Sequence, residues 1–144
     1  MASGWYQYGL QAFAQGLVTW LLAGGSTIKV TMYDSADYTP NLTTDQYMNL
    51  DTIPAAAKVR VSSAITKVDA AINGVLDASD VVETAVSGDT VEGVLLWLDG
   101  GGSGETQSGT ADLLLANLEA SVTPNGGNIT VQFGNVAGLL LGRI

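Results

Sequence analysis

The stretch TVEGVLLWLDG, residues 90–100, decides the fold class of this chain. It begins with apolar and polar residues in alternation, and from Val94 to Leu98 it becomes a continuous apolar run. A strand with one face in water alternates, whereas a strand covered on both faces reads as an unbroken apolar run. The stretch therefore predicts a central strand, covered on both faces by its own domain or on one of them by a partner.

Other short strands are predicted before and after this one. IKVTMY, residues 28–33, places Ile28, Val30 and Met32 on one face, and residues 57–63 and 128–134 alternate in the same way. Further strands are expected within residues 65–78, 81–87, 110–122 and 136–144. Gly88 and Asp89 are typical of a tight hairpin that joins residues 81–87 to the central strand. The predicted fold is mainly β: an antiparallel β-sandwich or jelly roll of about eight strands with an N-terminal α-helix.

The N-terminal segment, residues 5–22, has helical periodicity. Its apolar stripe consists of Leu10, Phe13, Leu17 and Trp20 or Leu21, and its opposite face carries Gln7, Gln11, Gln15 and Thr19. Ser3 is a candidate cap at the start of the helix, and Gly24 or Gly25 is a candidate stop. Two interpretations remain open: a core helix with a solvated glutamine face, or a helix whose glutamine face contacts a partner.

The composition limits the possible functions. The 144 residues include no Cys and no His, so thiolate chemistry, His-based triads and the familiar zinc sites are excluded. The net charge of −9 offers little to a phosphate backbone, so no nucleic-acid partner is predicted. No apolar run reaches the length of a membrane span, so no membrane association is predicted either. We expect one soluble domain, residues 1–144, made of a helix and interface segment (1–25) and a β-sandwich (26–144).

Two groups of carboxylates are candidates for a calcium site or a hydrolytic site. Asp99 and Glu105 flank the glycine-rich loop 100–109, but two carboxylates fall short of the six to eight oxygen ligands that calcium takes. Asp77, Asp80 and Glu83 could hold a hydrolytic pair, but a solvated strand edge explains them better. The sequence therefore predicts no catalytic residue, no cofactor and no metal site, and whether the glycine-rich loop binds a ligand is left open.

The charged residues are unevenly distributed. All 14 acidic residues lie between Asp34 and Glu119, and neither residues 1–28 nor residues 120–142 contain any charge. A large uncharged surface usually marks an interface. The alternative is that both ends belong to the core of the domain itself. The interface hypothesis names eight residues of the first segment: Trp5, Tyr6, Gln7, Tyr8, Gln11, Phe13, Gln15 and Trp20.

Five blocks carry a resemblance to a known family. They are GLVTWLL (16–22), IKVTMYDSADYTPNL (28–42), IPAAAKV (53–59), LDASDVVETAVSGDTVEGVLLWLD (76–99) and VTPNGGNITVQF (122–133). In order and spacing, the chain resembles small virion proteins of tailed bacteriophages over nearly its whole length. Within that class it is most similar to capsid decoration, or cement, proteins such as that of a Bordetella phage. It departs from the pattern at INGV (72–75) and in the loop 100–109.

The resemblance implies a non-enzymatic structural protein that stabilises a capsid from outside by binding adjacent major capsid subunits. The implied partners are the major capsid protein and further copies of the chain, as a homodimer or higher homo-oligomer. The implied location is the exterior of the virion, after assembly in the host cytoplasm. Two alternatives stay open: a tail, neck or head-tail connector component, and, from another class, a carbohydrate-binding β-sandwich module.

Overall fold

The stretch TVEGVLLWLDG contains the middle strand of an antiparallel sheet. The structure, a computed structural model, describes residues 3–20, 24–49, 52–68, 77–100 and 112–133. The five strands of the sheet are β1 (Gly4–Trp5), β2 (Ile28–Tyr33), β3 (Lys58–Ala64), β7 (Val91–Leu98) and β8 (Leu113–Val122). Their order across the sheet is β1-β8-β7-β2-β3, so β7 has a partner on each side.

The remaining described elements are short. Two further antiparallel pairs join β4 (Lys67–Val68) to β5 (Asp77–Ala78) and β6 (Val81–Glu83) to β9 (Ile129–Val131). One α-helix, α1 (Gln7–Ala14), follows β1, and a single 3₁₀ turn (Ala55–Ala57) follows Pro54. The prediction of a mainly β chain with an N-terminal helix is confirmed, while the sandwich or jelly-roll arrangement stays a prediction.

The large sheet lies between two apolar cores, as the sequence of β7 predicts. Val94 and Leu96 belong to the first core, and Leu95 and Trp97 belong to the second. The first core also takes in the inward residues of β9 and several residues of the N-terminal segment. The second core is closed by the long connection between β2 and β3, through Tyr38, Met48 and Ile53. The continuous apolar run is thus explained by the chain itself, because both faces of β7 are covered within the domain.

Tyr33 crosses the middle strand on the second face of the sheet. It is the cross-strand partner of Gly93, and its hydroxyl donates a 2.9 Å hydrogen bond to Oδ1 of Asn117 on β8. The ring therefore lies over Gly93, where an added Cβ would be 2.3 to 2.4 Å from three atoms of the tyrosine. Beside it, Thr31 accepts a 3.0 Å hydrogen bond from the indole of Trp97.

The hairpin predicted at Gly88 and Asp89 is wrong. β6 pairs with β9, whereas β7 belongs to the large sheet, so the chain passes from one sheet to another between them. Val86 extends the β6-β9 pairing, because its N–H donates to Gly127 O and its carbonyl accepts from Gly126 N. The two residues Gly88 and Asp89 therefore belong to a crossing and not to a turn between paired strands.

The helix is shorter than its periodicity predicted. It ends because Gly16 adopts a left-handed conformation with φ of 71°. Gly16 N donates to Phe13 O and Leu17 N donates to Ala12 O, which together form a Schellman motif. The predicted stop at Gly24 or Gly25 is therefore wrong. Ser3 does not cap the helix either, since its hydroxyl accepts from the backbone N–H of Glu119.

Several sequence predictions fall outside the described residues. These are most of the strand or strands expected within residues 65–78, the strand 136–144, nearly all of the glycine-rich loop, and Glu105 and Leu21.

Candidate functional site at the N-terminal helix

The face by which α1 packs on the sheet is set by its smallest residues. Gly9 lies against the backbone of β8, so that an added Cβ would be 2.8 Å from Leu114 O and from Cα and O of Leu115. Together with Ala12 it is a buried residue of the helix. Only a residue without a side chain permits this approach, and glycine at position 9 therefore determines which face of α1 points outward.

The predicted apolar stripe is only partly buried, since Trp20 is buried and Phe13 is half-buried while its two leucines are exposed. Leu10 is 47% exposed and Leu17 is 65% exposed, while Tyr8 is 36% exposed. These three are among five large apolar side chains that the described part of the chain leaves exposed, the others being Val68 and Val82. The N-terminal segment thus exposes apolar side chains to solvent, and its sequence has no charged residue beside them.

A cleft of about 320 Å³ opens between α1 and the sheet. The helix side contributes Gln11 and Gln15, and the sheet contributes Leu98 of β7 and Leu113 of β8, which are cross-strand partners. The described residues that line it are Tyr8, Gln11, Ala12, Gln15, Leu17, Gln46, Tyr47, Leu98 and Leu113. We call this the helix cleft.

The connection after β2 supplies the third wall of the helix cleft. Tyr47 forms an isolated antiparallel bridge with Leu113, and Gln46 O accepts a 2.9 Å hydrogen bond from Leu114 N. Met48 N donates to Asp112 O, which extends the pairing by one residue. Gln46 and Tyr47 are therefore held at the edge of the sheet by backbone hydrogen bonds.

The polar groups of the helix cleft are neutral and available. The side chains of Gln11, Gln15 and Gln46 make no hydrogen bond within the described part of the chain. Among the residues that the structure describes, no Asp, Glu, Lys or Arg lines the cleft. An amide offers two donors and one acceptor oxygen, so the site can bind neutral polar groups.

The eight residues of the interface hypothesis fall into two sets. Trp5, Tyr6 and Trp20 are buried, with at most 8% of each exposed, and Phe13 is half-buried with its ring packed edge-on against Trp5. The indole of Trp20 donates to the carbonyl oxygen of Asp77. These four side chains belong to the cores. Gln7, Tyr8, Gln11 and Gln15 are exposed, and the last three line the helix cleft. As to the partner itself, the interface hypothesis stays a prediction.

Buried tyrosines support the entry to the helix. Tyr6, directly before α1, is hydrogen-bonded to the hydroxyl of Tyr38 at 2.9 Å, and Tyr38 donates to Asp45 Oδ2 at 2.8 Å. Burial raises the pKa of Tyr6 and of Tyr38 far above the ordinary tyrosine range. Burial likewise raises the pKa of Tyr33 to about 12. These hydroxyls stay protonated at neutral pH, so they hold structure and do not act as bases.

The carboxylates weighed in the sequence have structural roles. Glu83 is mostly buried and forms a 2.9 Å ion pair with Arg60, and Asp80 accepts a hydrogen bond from Phe133 N. Asp99 forms a 2.9 Å ion pair with Lys29, at the end of β7. The solvated strand edge expected for Asp77, Asp80 and Glu83 is therefore wrong for Glu83, while Asp77 Oδ1 accepts a hydrogen bond from the backbone N–H of Ala78. Among the residues that the structure describes, no three Asp, Glu, His or Cys side chains are grouped so as to hold a metal ion.

A second opening of about 240 Å³ lies between the ends of β3 and β6, and Asp80 and Glu83 line it. Both carboxylates already have the partners just named.

Within the described ranges, no helix is long and apolar enough to cross a membrane.

Sequence reasoning missed half of the helix cleft. Gln46, Tyr47, Leu98 and Leu113 come from three segments that are far apart in sequence and carry no shared motif. Their alternation identifies Leu98 and Leu113 as strand residues, but nothing local indicates that they meet below α1.

Comparison with known proteins returned no relatives. No protein-family model matches the chain, and no curated protein and no solved structure matches it significantly. The resemblance to phage virion proteins therefore stays a prediction, and the helix cleft and its surroundings are the basis for a functional proposal.

Proposed function

We propose that the chain is a non-enzymatic structural protein that decorates a bacteriophage capsid and stabilises it by binding adjacent major capsid subunits. The observation that carries the proposal is the exposed, uncharged surface of the N-terminal segment. It consists of Tyr8, Leu10, Gln11, Gln15 and Leu17, and we call it the α1 surface. The sequence resemblance supplies the kind of partner.

The α1 surface has the physical properties of a contact that excludes water. Leu10 and Leu17 give apolar area whose burial is favourable, at about 25 cal/mol per Å². The glutamine amides cost far less to desolvate than charges would, and they can pair with polar groups across an interface. The rest of the chain carries all 14 acidic residues, and this excess keeps unassembled copies soluble.

The arrangement of the sheets supports a jelly-roll or sandwich form of this fold. The chain leaves the small β6-β9 sheet to enter β7 and returns to it after β8. Ile129 and Val131 of β9 share the first core with Val94 and Leu96 of β7. In our proposal the small sheets form the second layer of a sandwich, as decoration proteins of this class would require.

The direct test is to locate the chain in the phage particle whose genome encodes it. A density map of the intact particle should show the chain on the outside of the head, touching at least two major capsid subunits. Density in the tail, neck or head-tail connector would support the alternative virion role and contradict the decoration role. Absence of the chain from purified particles would contradict both.

Glutamate at positions 11 and 15 tests the α1 surface. In the double variant Gln11→Glu, Gln15→Glu, docking would bury two charges that no residue of the segment can neutralise. We expect a loss of about 3 kcal/mol, or more than ~100-fold in affinity, for particles that lack the protein. The free variant should lose no more than about 1 kcal/mol of stability, including the unfavourable helix-dipole term at the C-cap residue Gln15.

The matched control changes two amides elsewhere. Asn128→Asp with Gln132→Glu alters the net charge equally, and both residues are exposed and lie outside the helix cleft. This control should bind particles like the original chain. If the glutamate pair binds equally well, the α1 surface faces solvent in the particle and its proposed role is wrong. If the free glutamate variant fails to fold, the segment acts chiefly in the core of the domain.

Self-association is the second expected property of the α1 surface. Exposed leucines on so weakly charged a segment should pair in solution, and a twofold dimer is the commonest closed arrangement. Sedimentation velocity at micromolar concentration should therefore show a dimer or larger species. A monomer at every concentration up to the millimolar range would contradict the expectation.

A further inference from the structure

The helix cleft joins an aliphatic part to a set of free amides. Leu98 and Leu113 are half-buried neighbours on adjacent strands, and Leu17 adds an exposed aliphatic side chain. Gln11 and Gln15 lie on the helix, and Gln46 lies on the segment that pairs with β8. A ligand that fills the cleft therefore needs an apolar part and neutral groups that both donate and accept hydrogen bonds.

The absence of charged lining residues restricts the ligand further. Of the charged residues that the structure describes, none lines the helix cleft. A charged group placed there would lose hydration without gaining a counter-ion. A neutral ligand avoids this cost.

A peptide main chain matches the amides of the cleft. Each peptide group presents one N–H donor and one C=O acceptor, the same pair of functions that a glutamine amide presents. The leucines can pack against an apolar side chain of the ligand. Burial of apolar area is favourable whatever the orientation of that side chain, because the hydrophobic effect is non-directional. A saccharide would place hydroxyl groups against these leucines and leave them unpaired.

We infer that the helix cleft binds an uncharged peptide segment, which packs one large apolar side chain on Leu98 and Leu113 while its peptide groups pair with Gln11, Gln15 and Gln46. The inference rests on the proposed function for the source of that segment, which is an extended part of a major capsid subunit. The chemistry of the cleft is independent of that source.

Short capped peptides test this chemistry directly. The probes are N-acetylated, C-amidated Gly-Gly-Phe-Gly-Gly and its Lys and Glu counterparts, with the trisaccharide cellotriose as the competing class. They are titrated into the full chain while the side-chain amide NMR signals of Gln11 and Gln46 are followed. We expect the Phe peptide to bind with a Kd on the order of 1 mM, as befits a short flexible ligand. The Lys and Glu peptides should bind at least about tenfold more weakly.

Two variants make the result specific to the cleft. Gln11→Glu should weaken the Phe peptide by about tenfold or more, because the new charge would be buried beside the ligand. Gln132→Glu, outside the cleft, should leave its affinity unchanged. Thermal unfolding of both variants verifies that they are folded.

Several outcomes would overturn the inference. They are saturation by cellotriose with no response to the Phe peptide, equal binding of the charged peptides, an unchanged affinity in Gln11→Glu, or no binding of any probe up to 20-fold above the expected Kd, about 20 mM. The test is separable from the decoration proposal. Peptide binding by a chain that is absent from phage heads would retain the cleft chemistry and reject the proposed function. A chain that lies on phage heads but does not bind the peptides would support the proposed function and reject the peptide-binding role of the cleft.

Discussion

Replacing Gly93 with alanine should destabilise the protein by about 3 kcal/mol or more, one of the largest effects expected of a single methyl group here. The new Cβ would lie 2.3 to 2.4 Å from the ring and hydroxyl of Tyr33, which is fully buried. The ring could move only by breaking its hydrogen bond to the buried Asn117. Chemical denaturation should show a lower midpoint with an unchanged slope, because the clash alters stability and not the surface exposed on unfolding.

A double-mutant cycle identifies the clash as the cause. Tyr33→Ala alone should cost about 3 to 5 kcal/mol through the cavity it leaves. In that background the further change Gly93→Ala should cost less than about 1 kcal/mol, since the colliding ring is gone. Additive losses would show that Tyr33 is not the obstacle and would contradict the arrangement described for the second core.

Raising the pH above 10 should lower the free energy of unfolding, because buried tyrosines ionise more readily in the unfolded chain than in the folded one. The pKa of Tyr33 is raised to about 12 by burial, and burial also raises the pKa values of Tyr6 and Tyr38. Unfolded tyrosines ionise near pH 10, so this contribution to stability is fully present below pH 10 and is lost as the pH rises further. Well above pH 10, each such tyrosine lowers the free energy of unfolding by up to about 1.4 kcal/mol per pH unit. Because an unfolded tyrosine is only half ionised at pH 10, the three together lower it by about 3 kcal/mol between pH 10 and pH 11.

Phenylalanine variants measure the tyrosine contribution separately from that of lysine and arginine. The measurement is the free energy of unfolding by urea at several pH values between 9 and 11. Tyr6→Phe with Tyr38→Phe should reduce the slope of stability against pH above 10 by up to two protons, about 2.7 kcal/mol per pH unit. The variant will have a lower stability at neutral pH, where hydrogen bonds are lost, so only the slopes are compared. Equal slopes in the variant and the original chain would show that these hydroxyls ionise in the folded state.

The strands were predictable because their signal is local. The continuous apolar run in β7 reports that both of its faces are buried. Alternation in residues 28–33 locates β2 but not the extent of its burial, because Thr31 and Tyr33 on the second face are buried as well. The pairing of strands is not local. The sequence Gly88-Asp89 therefore predicts a hairpin, although the strands on either side of it belong to different sheets. The antiparallel ladder between Val81–Glu83 and Ile129–Val131 shows that β6 belongs with β9.

The helix shows the same limit. Periodicity placed Leu10 and Leu17 on an apolar stripe and assigned that stripe to the core, yet both are exposed. The outcome depends on Gly9, whose close approach to β8 is a tertiary contact that no helical pattern reports. The stop at Gly16 was available in the sequence, since a glycine after a helical run is a common C-terminal signal.

The candidate site was half predictable for a related reason. The absence of charge in the first segment predicts an interface that includes Tyr8, Gln11 and Gln15, and these three residues line the helix cleft. The large aromatic residues of the same segment, Trp5, Tyr6 and Trp20, are buried instead, because burial of their area outweighs any role at the surface. The other wall of the cleft depends on long-range pairing, as the β6-β9 sheet does.

The pairing of β1 with β8 ties the site to the order of protein synthesis. Gly4 lies opposite Asn117, and α1 rests on Leu114 and Leu115, so β1 and α1 cannot dock until β8 has been synthesised. Contacts this distant in sequence form late in folding, since the long loop must be closed first. A nascent or truncated chain that ends before β8 therefore has the residues of the α1 surface but no platform to orient them. The helix cleft should form only once β8 is present, because Leu113 of that strand is one of its lining residues.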